Sequence, residues 1–253
     1  MNPSVAFTTE NRLERFLVRI AANVSDYAAA PVLIVAFGDS VTQGYTAHAT
    51  INHDQVYHAC LKRSLETTYP LTTFSVINAG AAGHTVQNAL KRLERDVIRH
   101  DPDLLIVAFG LNDAAHGGLE GVGQFKADLN RLLERVERET NAHVLIVTPS
   151  FTLQQMNGHI HPKELVYLPG LLPLQRGGVV AAYATAIRQI GAARRLPVAD
   201  VYAAWENLER TGVDTDDLLS NGLNHPIGAA HAITADLLYD LISQPNRTQP
   251  KEI

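Results

Sequence analysis

Three short segments of this chain end apolar runs in residues able to act on a carbonyl group. Gly38-Asp39-Ser40 offers a nucleophilic hydroxyl, NAGAAGHT (Asn78 to Thr85) offers backbone N–H groups left open by glycines, and Gly110-Leu111-Asn112-Asp113 offers a neutral amide donor. A hydroxyl that attacks a carbonyl needs donors aimed at the oxyanion it creates, so the three together suit acyl transfer. Each alone has an ordinary reading, since glycines permit tight turns and Ser40 or Asn112-Asp113 could cap a helix. A serine also needs a base. Among eleven histidines, His225 stands in SNGLNHPIGAAH, between a turn at Gly222 and a proline suited to the first turn of a helix. An imidazole held on such a loop can take the serine proton and return it to the leaving group.

The surrounding pattern predicts elements that would bring these segments together. Val32 to Phe37 is apolar without alternation, as expected of a strand buried on both faces. Further strands are expected at Phe74–Ile77, Leu104–Phe109, Val144–Val147 and about 197–201, each followed by helical spacing: through Val56, Cys60 and Leu65 after the first, then Val86–Ile98, Phe125–Val136, Val179–Ile190 and a last helix after Pro226. Five strands alternating with helices imply an α/β, three-layer α/β/α sandwich with a parallel sheet and right-handed crossovers. The C-terminal ends of parallel strands share one edge, where ligands bind in open α/β sheets. A capped amphipathic helix from Thr9 reads as an N-terminal extension over 1–30, ahead of a single domain over 31–245, with 246–253 a flexible tail. Residues 151–177, with Gly158, Pro162, Pro169, Gly170 and Pro173, are too long for a plain connection and read as an insertion beside the site or a lid.

Composition narrows the function classes. The net charge of −5 is mild and the basic residues fall beside acids in helical patterns, which argues against nucleic acid as a partner. The single cysteine, Cys60, reads as a buried small hydrophobe and makes no internal disulfide. No apolar run approaches the roughly 18 residues of a membrane span, and the expected location is cytoplasmic.

Taken in order, GDSVTQG, NAGAAGHT, DPDLLIVAFGLNDA and NHPIGAAH resemble the four blocks of the SGNH hydrolases, also called GDSL esterases and lipases, over residues 38–231. The resemblance implies a flavodoxin-like sandwich, no metal or organic cofactor, and hydrolysis of small esters or thioesters through an acyl-enzyme. By position, Ser40 matches the nucleophile, with its own N–H joining the oxyanion hole. Gly83 matches the backbone donor, Asn112 the side-chain donor, and His225 the base.

One position departs from the family. An aspartate usually lies three or four residues before the histidine and orients it, whereas this chain has Gly222 and Asn221 there. An amide oxygen can accept a hydrogen bond but cannot offset the charge of an imidazolium, and in a related triad the change from acid to amide costs about ten-thousand-fold. Three readings follow. Asn221 or a backbone carbonyl orients His225; an acid among Asp214, Asp216 and Asp217 folds back; or catalysis is weakened. The first is preferred, because Asn221 takes the acid's place in an otherwise intact block.

Other residues are read more plainly. His48, His53 and His58 share no helical face, and His159 and His161 read as surface residues, so no metal site is expected. His84 and His116 follow residues of blocks two and three and are expected to line the pocket, while Asp39 and Asp113 are expected to hold loops. Tyr167, Leu168, Leu171, Leu172 and Leu174 could cover an acyl pocket, pack on the sheet, or meet another subunit of a homo-oligomer. The function expected is a serine esterase removing a short acyl group, acetyl by preference, from a small molecule or carbohydrate. The alternatives are a thioesterase or lysophospholipase, or a binding protein on the same scaffold.

Overall fold

The computed structural model describes residues 9–26 and 28–243, with the side chains of 9–12 left out. Helix α1 (Thr9–Ser25) precedes β1 (Val32–Gly38), the four-residue helix α2 (Ser40–Gln43), α3 (Tyr57–Thr68) and β2 (Phe74–Gly80). Then come α4 (Val86–Asp96), β3 (Leu104–Ala108), α5 (Leu111–Gly117), α6 (Val122–Glu139) and β4 (His143–Val147). The chain closes with α7 (Leu168–Arg176), α8 (Val179–Arg194), β5 (Val198–Ala199), α9 (Val201–Arg210) and α10 (Gly228–Ser243). All strand pairs are parallel, in the order β2-β1-β3-β4-β5. Among the described residues, no helix is long and apolar enough to cross a membrane.

Alternate residues of each strand feed two cores, as the period of two requires. Ile34, Ala36, Leu104, Ile106, Leu145 and Val147 point to one side, where residues of α1, α3, α9 and α10 cover them. Val35, Phe37, Leu105, Val107, Val144 and Ile146 point to the other, beneath α4, α6 and α8. Helix α1, expected as an N-terminal extension, buries Phe16 and Ile20 in the first of these cores. Burying side chains of that size is worth about 1.5–3 kcal/mol each, so α1 is part of the packed body. The expected cap by Thr9 and the tail 246–253 lie outside the described residues and side chains.

Several elements differ from expectation. The fifth strand shrinks to two residues, and Val201, Tyr202 and Trp205 belong to α9, capped by Asp200 through Ala203 N. Within the 151–177 insertion, residues 162–167 form a 3-10 turn that runs straight into α7. Pro173 breaks the expected helical signal there because it has no N–H to give. Leu174 is nevertheless buried, and Leu168, Leu171 and Leu172 pack against the core, which sustains the helix. Pro226 does not open the last helix; it pairs with Leu219 in a short bridge, and α10 begins at Gly228. Cys60 is half-buried rather than buried.

Register decides what the sheet presents. Gly38 lies opposite both Gly80 and Ala108, so β1, β2 and β3 end level with one another. Ser40, Gly83 and Asn112 then follow those aligned ends by two, three and four residues.

Candidate active site

Ser40 is the first residue of α2, and Asp39 caps that helix by accepting from Val41 N at 2.9 Å. So short a helix holds because it lies on the end of β2. A Cβ built on Gly80 would stand 2.1 Å from Gln43 N, so only glycine allows that approach. The side chain of Gln43 then reaches over the turn after β2 and accepts from Ala82 N at 3.0 Å. Gly83 follows at φ +74, a left-handed conformation natural to glycine, and its N–H meets no acceptor among the described residues. A Cβ built at Gly83 would meet nothing within 4 Å, so the left-handed backbone and not crowding is what calls for glycine.

Asn112 sits in the first turn of α5 beside these groups. Its amide donates to Asp39 Oδ2 and to the His84 carbonyl, both at 3.2 Å. Burial pushes the Asp39 carboxyl up to about 7 against the hydrogen bond from Val41, with nearby Asp113 adding to the rise. Burial likewise raises Asp113 to about 6, although it accepts from Val86 N at the start of α4. Both acids therefore hold loops, as expected of them.

Beneath this wall lies a residue whose role the sequence conceals. Arg92, read as one of the helical charges, is 8% exposed and ties together the ends of two strands. It donates to the carbonyls of Gly38 and Ala79 at 2.7 Å each, pairs with Asp96 at 2.8 Å, and gives its Nε hydrogen to His84 Nδ1 at 3.1 Å. Its guanidinium also lies 4.4 Å from the centre of the Phe37 ring. The His84 imidazole is thus occupied by Arg92, and only its carbonyl serves the site. His116 is exposed on α5, and neither ring contacts Ser40 or His225 among the described residues.

Opposite stands the loop 219–227. The His225 carbonyl accepts from Ser220 N at 2.7 Å and from Ser220 Oγ at 2.9 Å, closing the loop on itself. Leu153 N donates to the Leu223 carbonyl at 2.7 Å and Asn157 Nδ2 to that of Gly222 at 2.9 Å, docking the loop on the insertion. His225 Nε2 then lies 3.0 Å from Ser40 Oγ. Both residues are buried, at 9% and 6% exposure. Burial holds the imidazole down, to about 4, against the opposing pull of Glu164 and a hydrogen bond to the Thr46 backbone. At neutral pH the ring is uncharged, as a base must be.

Asn221 does meet His225, but with the other end of its amide. Its Oδ1 accepts from the N–H groups of Leu223, Asn224 and His225, all at 3.0 Å. Its Nδ2 faces His225 Nδ1 at 3.1 Å and the Glu164 carboxylate at 3.2 Å. The acids expected as substitutes are engaged elsewhere. Asp216 accepts from Gln154 N and Gln155 N, Asp214 caps the turn at 215–218, and Asp217 lies 3.8 Å from His159 at the surface. The acid beside Asn221 is Glu164, which comes from the insertion and which no local spacing announced.

A serine hydroxyl in contact with a buried imidazole, beside a glycine N–H and an asparagine amide on one edge of a parallel 2-1-3-4-5 sheet, is the arrangement of an SGNH-type serine esterase. The chain belongs to the GDSL-like Lipase/Acylhydrolase family, whose pattern its residues 36–233 match. Among solved structures it is similar to a lipase/acylhydrolase from Enterococcus faecalis, with 26% identity, TM-score 0.65, and coverage of 87% of this chain and 99% of that one. It also shares its fold with Axe2, an acetylxylan esterase from Geobacillus stearothermophilus, at 21% identity and TM-score 0.64, covering 86% and 97% of the two chains. A third similarity is to YqeF of Bacillus subtilis (strain 168), described as an uncharacterized lipoprotein. There the identity is 33% over 82 residues, a match spanning 32% of each chain.

Proposed function

We propose that this protein hydrolyses short-chain acyl esters, acetyl esters foremost, on the hydroxyl groups of a small molecule or carbohydrate. The observation that carries the reading is the 3.0 Å contact between Ser40 Oγ and His225 Nε2, set beside N–H donors that follow the ends of three adjacent strands. Ser40 Oγ attacks the ester carbonyl while its proton passes to His225 Nε2. The carbonyl oxygen, now negative, takes hydrogen bonds from the N–H groups of Gly83 and Ser40 and from the Asn112 amide. Both resting contacts of that amide are long, and a charged oxygen is a stronger acceptor than the neutral His84 carbonyl. His225 then protonates the leaving alcohol, and water, activated in the same way, releases the acid from Ser40.

The acetyl preference has two supports. A cavity of about 40 Å³ is lined by Asp39 and Val41, the chain neighbours of Ser40, and by Tyr57, Leu111 and Pro226, and we read it as the seat of a short acyl group. The fold is also that of Axe2, an acetylxylan esterase. A fluorophosphonate probe should label the wild type and leave Ser40→Ala unlabelled, and turnover of nitrophenyl esters from acetyl to palmitoyl should peak at acetyl. A peak at long chains would overturn the acetyl preference, and folded wild type that takes no label would make this a binding protein on a hydrolase scaffold. A cytoplasmic location belongs to the same proposal and is tested by fractionating the cells that express it.

A further inference from the structure

The amide of Asn221 cannot be turned around. Its oxygen satisfies three backbone N–H groups, and its nitrogen faces a carboxylate, so a flip would set like against like on both sides. Three acceptors surround the nitrogen: Glu164 Oε2 at 3.2 Å, Asn224 Oδ1 at 3.2 Å and His225 Nδ1 at 3.1 Å. An amide has only two hydrogens to give.

Which acceptor goes without decides the tautomer of the base. If an amide hydrogen points at His225 Nδ1, that nitrogen must be bare, the ring proton sits on Nε2, and Ser40 faces a donor instead of a base. If both hydrogens go to Glu164 and Asn224, Nδ1 can keep its own proton and Nε2 is free to accept. The charged oxygen is the strongest of the three acceptors.

We propose that Glu164 is the displaced acid of this hydrolytic centre, a positioning residue that acts on His225 through the Asn221 amide. It draws the amide hydrogen away from Nδ1 and supplies the negative charge that the imidazolium needs. During attack the Ser40 proton moves to Nε2 as the Oγ–carbon bond forms and the carbonyl electron pair moves to oxygen; no proton reaches Glu164. The carboxylate is suited to the task because it is fixed. Glu164 is 6% exposed, its Oε1 is held by His48 Nδ1 at 3.2 Å, and the His48 ring stacks on His161 at 4.3 Å. Around His225 the other facing groups are Ser40, the Tyr45 ring at 5.2 Å, the Thr46 backbone, and His231, whose charge opposes that of His225.

The inference rests on the esterase reading above, so its test reads the imidazole as well as turnover. In Glu164→Gln, kcat on nitrophenyl acetate should fall about 10–100-fold with KM within about threefold of wild type. The acidic limb of the pH–rate profile should move to lower pH, since a charge that favours the imidazolium has gone. Nitrogen NMR of His225 should show the same lowered titration and more of the Nε2–H tautomer, whether or not any ester is turned over. The double variant Glu164→Gln with Asn221→Asp exchanges acid and amide, and should recover most of the lost rate. Should Glu164→Gln fail to fold, Glu164→Asp keeps the charge but shortens the reach, and should give an intermediate loss with the same direction of shift. Unchanged turnover and an unchanged His225 titration in a folded Glu164 variant would overturn the proposal. Inactive wild type with a His225 that still responds to Glu164 would instead defeat the esterase reading and leave the coupling standing.

Discussion

The two walls of the site are built on different terms. The wall of Ser40, Gly83 and Asn112 grows from three adjacent strand ends, and ladder register sets its spacing before any side chain is placed. The wall of His225 hangs on a loop, and what steadies it comes from the insertion: Leu153, Asn157 and Glu164, the last 57 residues from Asn221. The first wall is backbone held by a sheet. The second is a chain of side-chain amides and one buried carboxylate. A precise site therefore does not need uniform construction, but the two halves should fail in different ways.

The sharpest way to break the contrast is through Arg92, the buried side chain that joins the ends of β1 and β2 under the first wall. Arg92→Met would remove its bonds to the Gly38 and Ala79 carbonyls and to Asp96, which keeps Arg95, and should cost about 3 kcal/mol in chemical denaturation, roughly 1 for each bond. A loss below about 1 kcal/mol would mean that the strand ends hold themselves. Next comes Asn112→Ala, which should lower kcat about 100–1,000-fold with KM nearly unchanged, equivalent to about 2.7–4 kcal/mol at the transition state. A raised KM with kcat unchanged would place Asn112 in substrate binding instead.

The second wall should be the acid-sensitive one. Burial holds His231 down, to about 4 against the ordinary 6.5, so its stabilisation is complete above 6.5 and is lost as pH falls toward 4. His231→Phe should therefore gain about 2 kcal/mol on wild type between pH 7 and pH 5, a difference from which any constant packing cost cancels. His58 is shifted the same way, while Asp39 and Asp113, held high, are stabilising in their protonated form and oppose both as pH falls. A flat comparison of His231→Phe with wild type would show that His231 takes no part in acid unfolding. The smallest effect is on activity: with His225 near 4, kcat/KM at pH 5.5 should stay close to its neutral value, where an ordinary histidine would leave about one tenth. A midpoint near 6.5 would mean that the ring is wetter than its burial implies.

The same contrast explains what could be read from the sequence. Strand periodicity gave the sheet, and each group of the first wall lies within four residues of a strand end, so apolar runs and short motifs sufficed to place Ser40, Gly83 and Asn112. His225 was legible through its block. Glu164 was not, because the segment that holds it carries Pro162, Pro169 and Pro173, which erase helical periodicity, and because its partner is distant in sequence. Asn221 stands beside His225 with its amide turned opposite to the expected way, since only the three N–H groups of the folded loop decide which end faces the histidine. Arg92 was hidden by its type: an arginine beside a lysine on a helix looks solvated until tertiary packing buries it. Helix α9 was missed for a related reason, its first residues continuing the apolar run of the short fifth strand.

The level ends of β2, β1 and β3 act as a ruler. Neighbouring strands lie about 4.8 Å apart, a spacing fixed by backbone hydrogen bonds that no single substitution rescales. Descendants of this chain could trade loops, lengthen the insertion or move the acid again while the distance across the oxyanion hole stayed where the sheet put it. Loops at the rim can change length without altering the ladder of β2, β1 and β3, which alone sets the spacing of the edge.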